Sequence, residues 1–262
     1  MLHSSESVGG LLKRWRQKRR FSQLDLASEA GISTRHLSFV ETGRAAPSRE
    51  MVLHLAEQLE IPLRERNGLL LAAGFAPLYP ERHLEAPEMS AVRGAVQAVL
   101  DAHEPFPALA VDRYWNLVAA NQALAPLVAS AAASLLTPPV NVMKLALHPD
   151  GIARRIANFA EWREHLLARL KRQVDGSSDP RLAELLEELS RYPHEGGVAA
   201  APSPAELAVT MRLSTDLGTL SFLSTTLVFG APLDVTLSEL AVEIFWPADA
   251  ATAASLRRRA AR

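Results

Sequence analysis

A chain of 262 residues with 48% hydrophobic and 22% charged side chains is long enough for one large or two ordinary domains with proper cores. It has no cysteine, which excludes disulfides and thiolate metal sites and fits a reducing cytoplasm. The formal net charge is -1, but residues 1–80 hold 11 basic against 8 acidic side chains and the remainder 17 against 21, so the first third is the part suited to a polyanion.

In chain order, MLHSSESVGG lacks the charged start and apolar run of a secretion signal. Val8, Leu11, Leu12 and Trp15 recur at helical spacing and predict a first helix. Within it lies KRWRQKRR (Lys13–Arg20), six of whose eight residues are basic. Such a run is a solvated face, or a set of phosphate contacts when it stands beside a DNA-reading element. Ser22 with Asp25 three residues on predicts a variant capping box. Leu24 and Ala27 form the expected inner stripe of a second helix, which Gly31 ends. Ser33 caps a third helix, with Leu37 and Val40 inward and Gly43 as its stop. Pro47-Ser48 opens a fourth, whose apolar positions are Met51, Val52, Leu55 and Leu59, and Pro62 opens a fifth that ends near Gly74. These five short helices predict a compact all-α domain over residues 1–76.

Pro77, Pro80 and Pro87 punctuate LYPERHLEAPEMS and predict a linker over 77–90. A helix across Ser90–His103 follows, then strands at ALAVD (Ala108–Asp112) and YWNLVAA (Tyr114–Ala120) around a tight turn. Asn121 is placed to cap a helix through about Ala129. The run Tyr114–Met143 carries no charge, but Asn and Pro interrupt it and it lacks the about 20 apolar residues of a membrane span, so no membrane partner is expected. Ile152–Val174 reads as one long amphipathic helix. GSSDP (Gly176–Pro180) breaks it, and Pro180 opens the next helix, RLAELLEELSRY. GGVAAAPSP is a loop. LAVTMRL alternates, with Leu207, Val209, Met211 and Leu213 on one face. LGTLSFLSTTLVF and LAVEIFW, ending at Pro247, complete three strands, and the tail SLRRRAAR reads as mobile. Two strands, several helices and three strands predict an α+β domain over 91–256 with an antiparallel five-stranded sheet packed by helices.

A helix-turn-helix lays its second helix in the major groove, with that helix's N-terminal residues against base edges. The arrangement needs a small residue at the turn, apolar residues behind and short polar or basic residues outward. Gly31 supplies the first and Leu37 and Val40 the second. The outward set is Ser33, Thr34, Arg35, Ser38 and Phe39. Arg35 can bond O6 and N7 of one guanine, discriminating by about 1–3 kcal/mol, while Thr34 and Phe39 suit a base edge or a thymine methyl. Gln23 before this helix and Arg44 after it suit backbone phosphates. Double-stranded operator DNA is the expected partner, bound by a homodimer.

SQLDLASEAGISTRHLSFVETGRAAPS resembles the Xre-type, lambda-repressor-like helix-turn-helix family, over about Val8–Leu71. That resemblance implies a structural pair between Glu41 and Arg16, locking the first helix to the third. AVDRYWNLVAANQAL, NVMKLALHPDGIARRIANFAEWREHLLARLKRQ and VFGAPLDVTLSELAVEIFWPADAATAASLR are similar to the ligand-binding domain of MmyB-like transcription regulators, which is PAS-like. This second resemblance spans about Ala91–Leu256. It implies a small apolar ligand, with fatty acids the leading class, and no metal or other cofactor.

Such a ligand would sit between sheet and helices in a mostly apolar pocket, for which Phe106, Trp115, Leu117, Phe159, Trp162 and Phe222 are the candidate walls. Arg155, Asn158, Trp162, His165 and Arg169 form a second stripe at helical spacing, suited to a carboxylate head group, a wet flank or a dimer contact. Enzyme chemistry finds little support. The eight histidines are scattered, His148–Asp150 and His194–Glu195 are isolated, and no Gly-x-Ser-x-Gly, phosphate loop or dinucleotide fingerprint occurs. The expectation is a cytoplasmic transcription regulator whose second domain senses a small molecule; the alternative is a second domain that only dimerises or binds protein.

Overall fold

The computed structural model describes residues 7–177, 179–193 and 208–261. The expected loop GGVAAAPSP, Leu207, the His194–Glu195 pair and the first six residues lie outside these. The chain folds into two compact units, Met1–Arg82 with Ala231–Ser238, and His83–Gly230 with Glu239–Arg262.

The first unit opens with five helices: α1 (Val8–Lys18), α2 (Gln23–Glu29), α3 (Thr34–Glu41), α4 (Arg49–Gln58) and α5 (Leu63–Ala72). Serine side chains start four of them. Ser7, Ser22, Ser33 and Ser48 each accept a backbone N–H of the first turn, which satisfies a group the helix cannot pair itself. At α2 the Asp25 carboxylate also accepts the Ser22 N–H at 2.8 Å, completing the capping box. Leu12, Trp15, Leu26, Leu37, Val40, Val52, Leu55 and Leu70 are buried at the centre. The expected inner stripe of α2 is corrected: Leu24 is 68% exposed, and Leu26, Ala27 and Ala30 are buried instead. On a seven-residue helix the inward row is 23, 26, 27 and 30, and position 24 falls about a quarter-turn outside it.

Two glycines shape this unit. Gly31 takes a φ of 63° at the turn between α2 and α3, a left-handed conformation that costs other residues strain. Gly9 lets α1 lie directly on α3, since a Cβ there would collide with the Val40 carbonyl oxygen and stand 2.8 Å from that of Glu41. Residues after α5 remain tied to it. Asn67 Oδ1 accepts the N–H groups of Leu78 and Tyr79 at 3.0 and 3.1 Å, its amide donates to the Tyr79 carbonyl, and Arg64 pairs with Glu81.

The second unit begins with α6 (Ser90–Ala102), the strands β1 (Ala108–Val111) and β2 (Leu117–Ala120), and the short helices α7 (Ala125–Val128) and α8 (Val142–Leu147). Then come α9 (Phe159–Ser177), α10 (Pro180–Ser190), β3 (Thr210–Thr215) and β4 (Gly218–Val228). After β4 the chain enters α11 (Val235–Ser238), part of the first unit, and returns as β5 (Ala241–Pro247) and α12 (Ala250–Ala260). The five strands form one antiparallel sheet in the order β2-β1-β5-β4-β3.

Successive strand residues point to opposite faces, and both faces are covered. Ala108, Ala110, Val242 and Ile244 pack with Val96 and Leu100 of α6 on one face. Leu109, Val111, Met211, Leu213, Leu220 and Phe222 pack with α8, α9 and α10 on the other.

Three expectations for this unit are revised. The long helix does not start at Ile152: a 3-10 turn at Ala153–Arg155 precedes an extended Ile156 that bridges Leu213, and α9 begins at Phe159. Backbone pairing of Ile156 and Ala157 with the edge strand β3 competes there with helix propagation. Asn121 does not cap a helix with its side chain. It is buried, accepting the Ala108 N–H and donating to the Phe106 carbonyl. The tail is no mobile end: Asp249 caps α12, and Leu256 and Thr252 are buried against the sheet. Among the described residues no helix is long and apolar enough to cross a membrane.

Candidate functional site

In the first unit, α3 turns Leu37 and Val40 into the core and leaves Ser33 and Arg35 exposed, with Thr34, Ser38 and Phe39 half-buried. Phe39 organises the basic side chains around it. The Arg35 guanidinium lies 5.3 Å from its ring centroid and that of Arg44 5.9 Å, cation–π distances that hold both forks on one outward face. The Ser33 hydroxyl is engaged as the cap, accepting the His36 N–H at 3.1 Å.

Glu41 closes α3 and faces inward. Arg16 grips it with two bonds, Nε to Oε1 at 2.6 Å and Nη2 to Oε2 at 2.9 Å, and Gln23 adds a third to Oε2 at 2.8 Å. Burial pushes the Glu41 carboxyl up, but the hydrogen bonds from Arg16 and Gln23 and the charges of Arg16 and Lys13 outweigh it and hold the pKa below the ordinary value. The pair implied by the resemblance is therefore present, and it removes an anion from the outward face. It also divides the basic run. Arg16 is internal, Arg19 donates to the Leu59 and Glu60 carbonyls, and Lys13, Arg14 and Arg20 are exposed. Gln23, expected at a phosphate, has its amide nitrogen on Glu41.

The second unit contains a cavity of about 260 Å³ between the sheet and α7, α8 and α9. Four of the six predicted walls line it: Trp115, Leu117, Trp162 and Phe222. Phe106 is not among the lining residues; it packs on His103 and beneath Arg257. Phe159 is half-buried against the same core at the start of α9, also outside the lining. The other walls are mostly aliphatic, from Leu109 on β1, Leu127 on α7, Met143 on α8 and Leu166 on α9.

Two charged side chains line this cavity, Arg169 and Glu243. Arg169 Nη1 donates to Glu243 Oε2 at 2.9 Å and Nη2 to Oε1 at 2.6 Å. Thr226 accepts from Arg169 Nη2 at 2.7 Å and donates to Glu243 Oε1 at 3.0 Å. The guanidinium also lies 4.5 Å from the Trp115 ring centroid, and the Trp115 indole N–H is held by Gln173 at 2.8 Å. One clasp thus ties the β1–β2 turn, α9, β4 and β5 together. Glu243 was missed in the sequence, although a single acid inside the apolar strand LAVEIFW was its signal. The rest of the second stripe is structural. Arg155 donates to the Leu127 and Ser214 carbonyls, and Asn158 bonds the β3 backbone.

Comparison with known proteins agrees with both units. A family model described as "MmyB-like transcription regulator ligand binding domain" matches residues 92–258, and one described as "Helix-turn-helix" matches residues 12–66. An uncharacterised HTH-type transcriptional regulator of Mycobacterium tuberculosis is 34% identical over 101 residues, 38% of this chain and 40% of its own length. A putative HTH-type transcriptional regulatory protein of Methanoculleus marisnigri is 34% identical over 116 residues, 42% of this chain and 37% of its own. The chain thus aligns with about two fifths of these curated relatives, whose names are those of regulators and not of enzymes. Since the first of these family models spans more than half of the sequence, the chain belongs to the MmyB-like transcription regulators, with a helix-turn-helix unit joined to that family's ligand binding domain.

Proposed function

We infer that this protein is a sequence-specific DNA-binding regulator whose operator affinity responds to a small apolar molecule held in the cavity of the second unit. The observation that carries this reading is the apolar cavity between sheet and helices, in the same chain as an outward α3 bearing Thr34, Arg35 and Ser38. Arg35 reads a guanine edge, Thr34 and Ser38 meet neighbouring base edges, and Arg44 meets the phosphate backbone. Lys13, Arg14 and Arg20 add to the salt-dependent attraction. The protein acts in the cytoplasm as a homodimer on a near-palindromic site, with half-site centres about 34 Å apart, one helical turn of DNA.

The ligand is of the kind that a fatty acid exemplifies, an apolar chain with one polar end. The walls support this, being aliphatic and aromatic apart from one charged cluster. Two strands, a set of helices and three strands in a single sheet support the PAS-like assignment of the domain. A ligand alters DNA affinity only if it prefers one arrangement of the protein. The route we assign runs through β4 and β5. Thr226 and Glu243 of the clasp stand on these strands, and their connection, Ala231–Ser238, is part of the DNA-binding unit.

Selection of bound sequences from a random duplex library, followed by titration of the recovered site with and without an organic extract of the producing cells, tests this. The expected result is a two-half-site consensus whose affinity shifts with the extract. Absence of any DNA affinity at low ionic strength overturns the DNA reading. A consensus insensitive to every extract favours a second unit that serves only dimerisation or protein contact.

A further inference from the structure

We propose that the cavity selects a charge-neutral ligand, an apolar chain whose one oxygen acceptor (an ester, amide or alcohol group) takes a hydrogen bond from Trp162, and that it discriminates against the free carboxylate. This deepens the ligand reading above and rests on it.

Two observations carry it. The first is that the cation at the cavity is already spent. Both terminal nitrogens of Arg169 bond Glu243, whose side chain is 5% exposed, and the Arg169 face is turned to Trp115. A carboxylate entering here would either displace Glu243 and strand a buried anion, or sit beside it as a second anion on one cation. Both are costly where water is excluded. His165 supplies no replacement charge. It stacks on Trp162 at 5.2 Å, and burial first, then the charges of Arg169 and Arg172, hold its pKa below 6.5.

The second observation is independent. Trp162 lines the cavity and is 3% exposed, yet its indole Nε1 is buried with no hydrogen-bond partner among the described residues. A buried donor without an acceptor costs about 1–3 kcal/mol. Trp115, by contrast, has its indole N–H satisfied by Gln173. An acceptor oxygen on the ligand would relieve Trp162 and bring no charge to the Arg169–Glu243 pair. The volume of about 260 Å³ lies near the lower end of small-molecule sites and suits one slender chain.

The test uses the full-length protein at pH 8 and three probes of matched chain length: methyl decanoate, decanoate and decane. Binding is followed by tryptophan fluorescence and by calorimetry. We expect methyl decanoate to bind at least about tenfold tighter than decanoate. Trp162→Phe should cut the preference for methyl decanoate over decane by about fivefold, the worth of one hydrogen bond. Glu243→Gln, which releases Arg169, should raise decanoate affinity while leaving decane unchanged. Decanoate binding as tightly as the ester in the unaltered protein overturns the proposal. Binding by none of the three overturns the cavity reading itself, and the proposal with it.

Discussion

Arg82 and Asp234 stand 152 residues apart in the chain and meet at 2.9 Å inside one compact unit. Asp234 also accepts the Thr236 N–H at 2.9 Å, the Thr236 hydroxyl donates to the Arg82 carbonyl, and the Val235 N–H bonds the Pro80 carbonyl. Through these bonds the segment between β4 and β5 becomes part of the DNA-binding unit.

If that segment carries the ligand signal, Arg82→Ala should uncouple the protein without unfolding it. The Arg82 side chain is 43% exposed, so its ion pair contributes at most about 1 kcal/mol. The expected outcome is a near-normal melting temperature and unchanged operator affinity without ligand. The ratio of operator Kd values with and without methyl decanoate should move toward one. A full response in the variant would place the route elsewhere.

On α3, Arg35→Ala and Arg44→Ala should differ in kind. Loss of Arg35 should relax base preference at one position of each half-site by about 1–3 kcal/mol. Loss of Arg44 should weaken all sequences alike and lower the slope of log K against log salt by about 0.9 for each phosphate no longer neutralised. Phe39→Ala should produce a weaker form of both defects, since its ring holds both guanidiniums. Fluorescence anisotropy on the consensus and on single-base variants measures all three.

Glu41→Ala should cost about 3–5 kcal/mol in denaturant unfolding, because it leaves the buried Arg16 without its counter-charge. The same carboxylate sets an acid limit. Its folded pKa lies below the ordinary 4.5, so the unfolded chain binds the proton more readily. Its stabilisation is complete above 4.5 and is lost as pH falls through the folded value. Melting curves between pH 7 and pH 3 should show this decline in the wild type and a shallower one in the variant.

Gly9→Ala should destabilise the first unit by about 1–3 kcal/mol, the range for forcing an added methyl into packed structure. The new methyl group meets backbone carbonyls of Val40 and Glu41, which cannot swing aside as a side chain would. α1 must then move off α3, so a lower denaturation midpoint should come with weaker operator binding. Wild-type stability would show that α1 has room to move.

Much of the DNA-binding unit was legible because its determinants are local. Ser22, Ser33 and Ser48 act within three residues of themselves, Gly31 acts through its own φ, and Leu37 and Val40 bury one side of a single helix turn. Leu24 failed because an apolar residue at a plausible spacing need not face inward on so short a helix. In the second unit the alternation of β3 and the single acid of β5 were visible. The kink at Ile156–Asn158 was not, since the β3 backbone that competes for it lies some 54 residues away.

By itself the sequence determined where helices and strands begin and end, which residues of α3 face outward, and which family the two halves resemble, for these follow from neighbours along the chain. Only the tertiary structure decided that Arg169 is neutralised by Glu243, that Trp162 keeps a free donor at an apolar cavity, and that Asp234 joins the first unit. Each depends on residues distant in sequence meeting at hydrogen-bonding range, and electrostatic and packing energies are set by that distance and by burial, neither of which periodicity encodes.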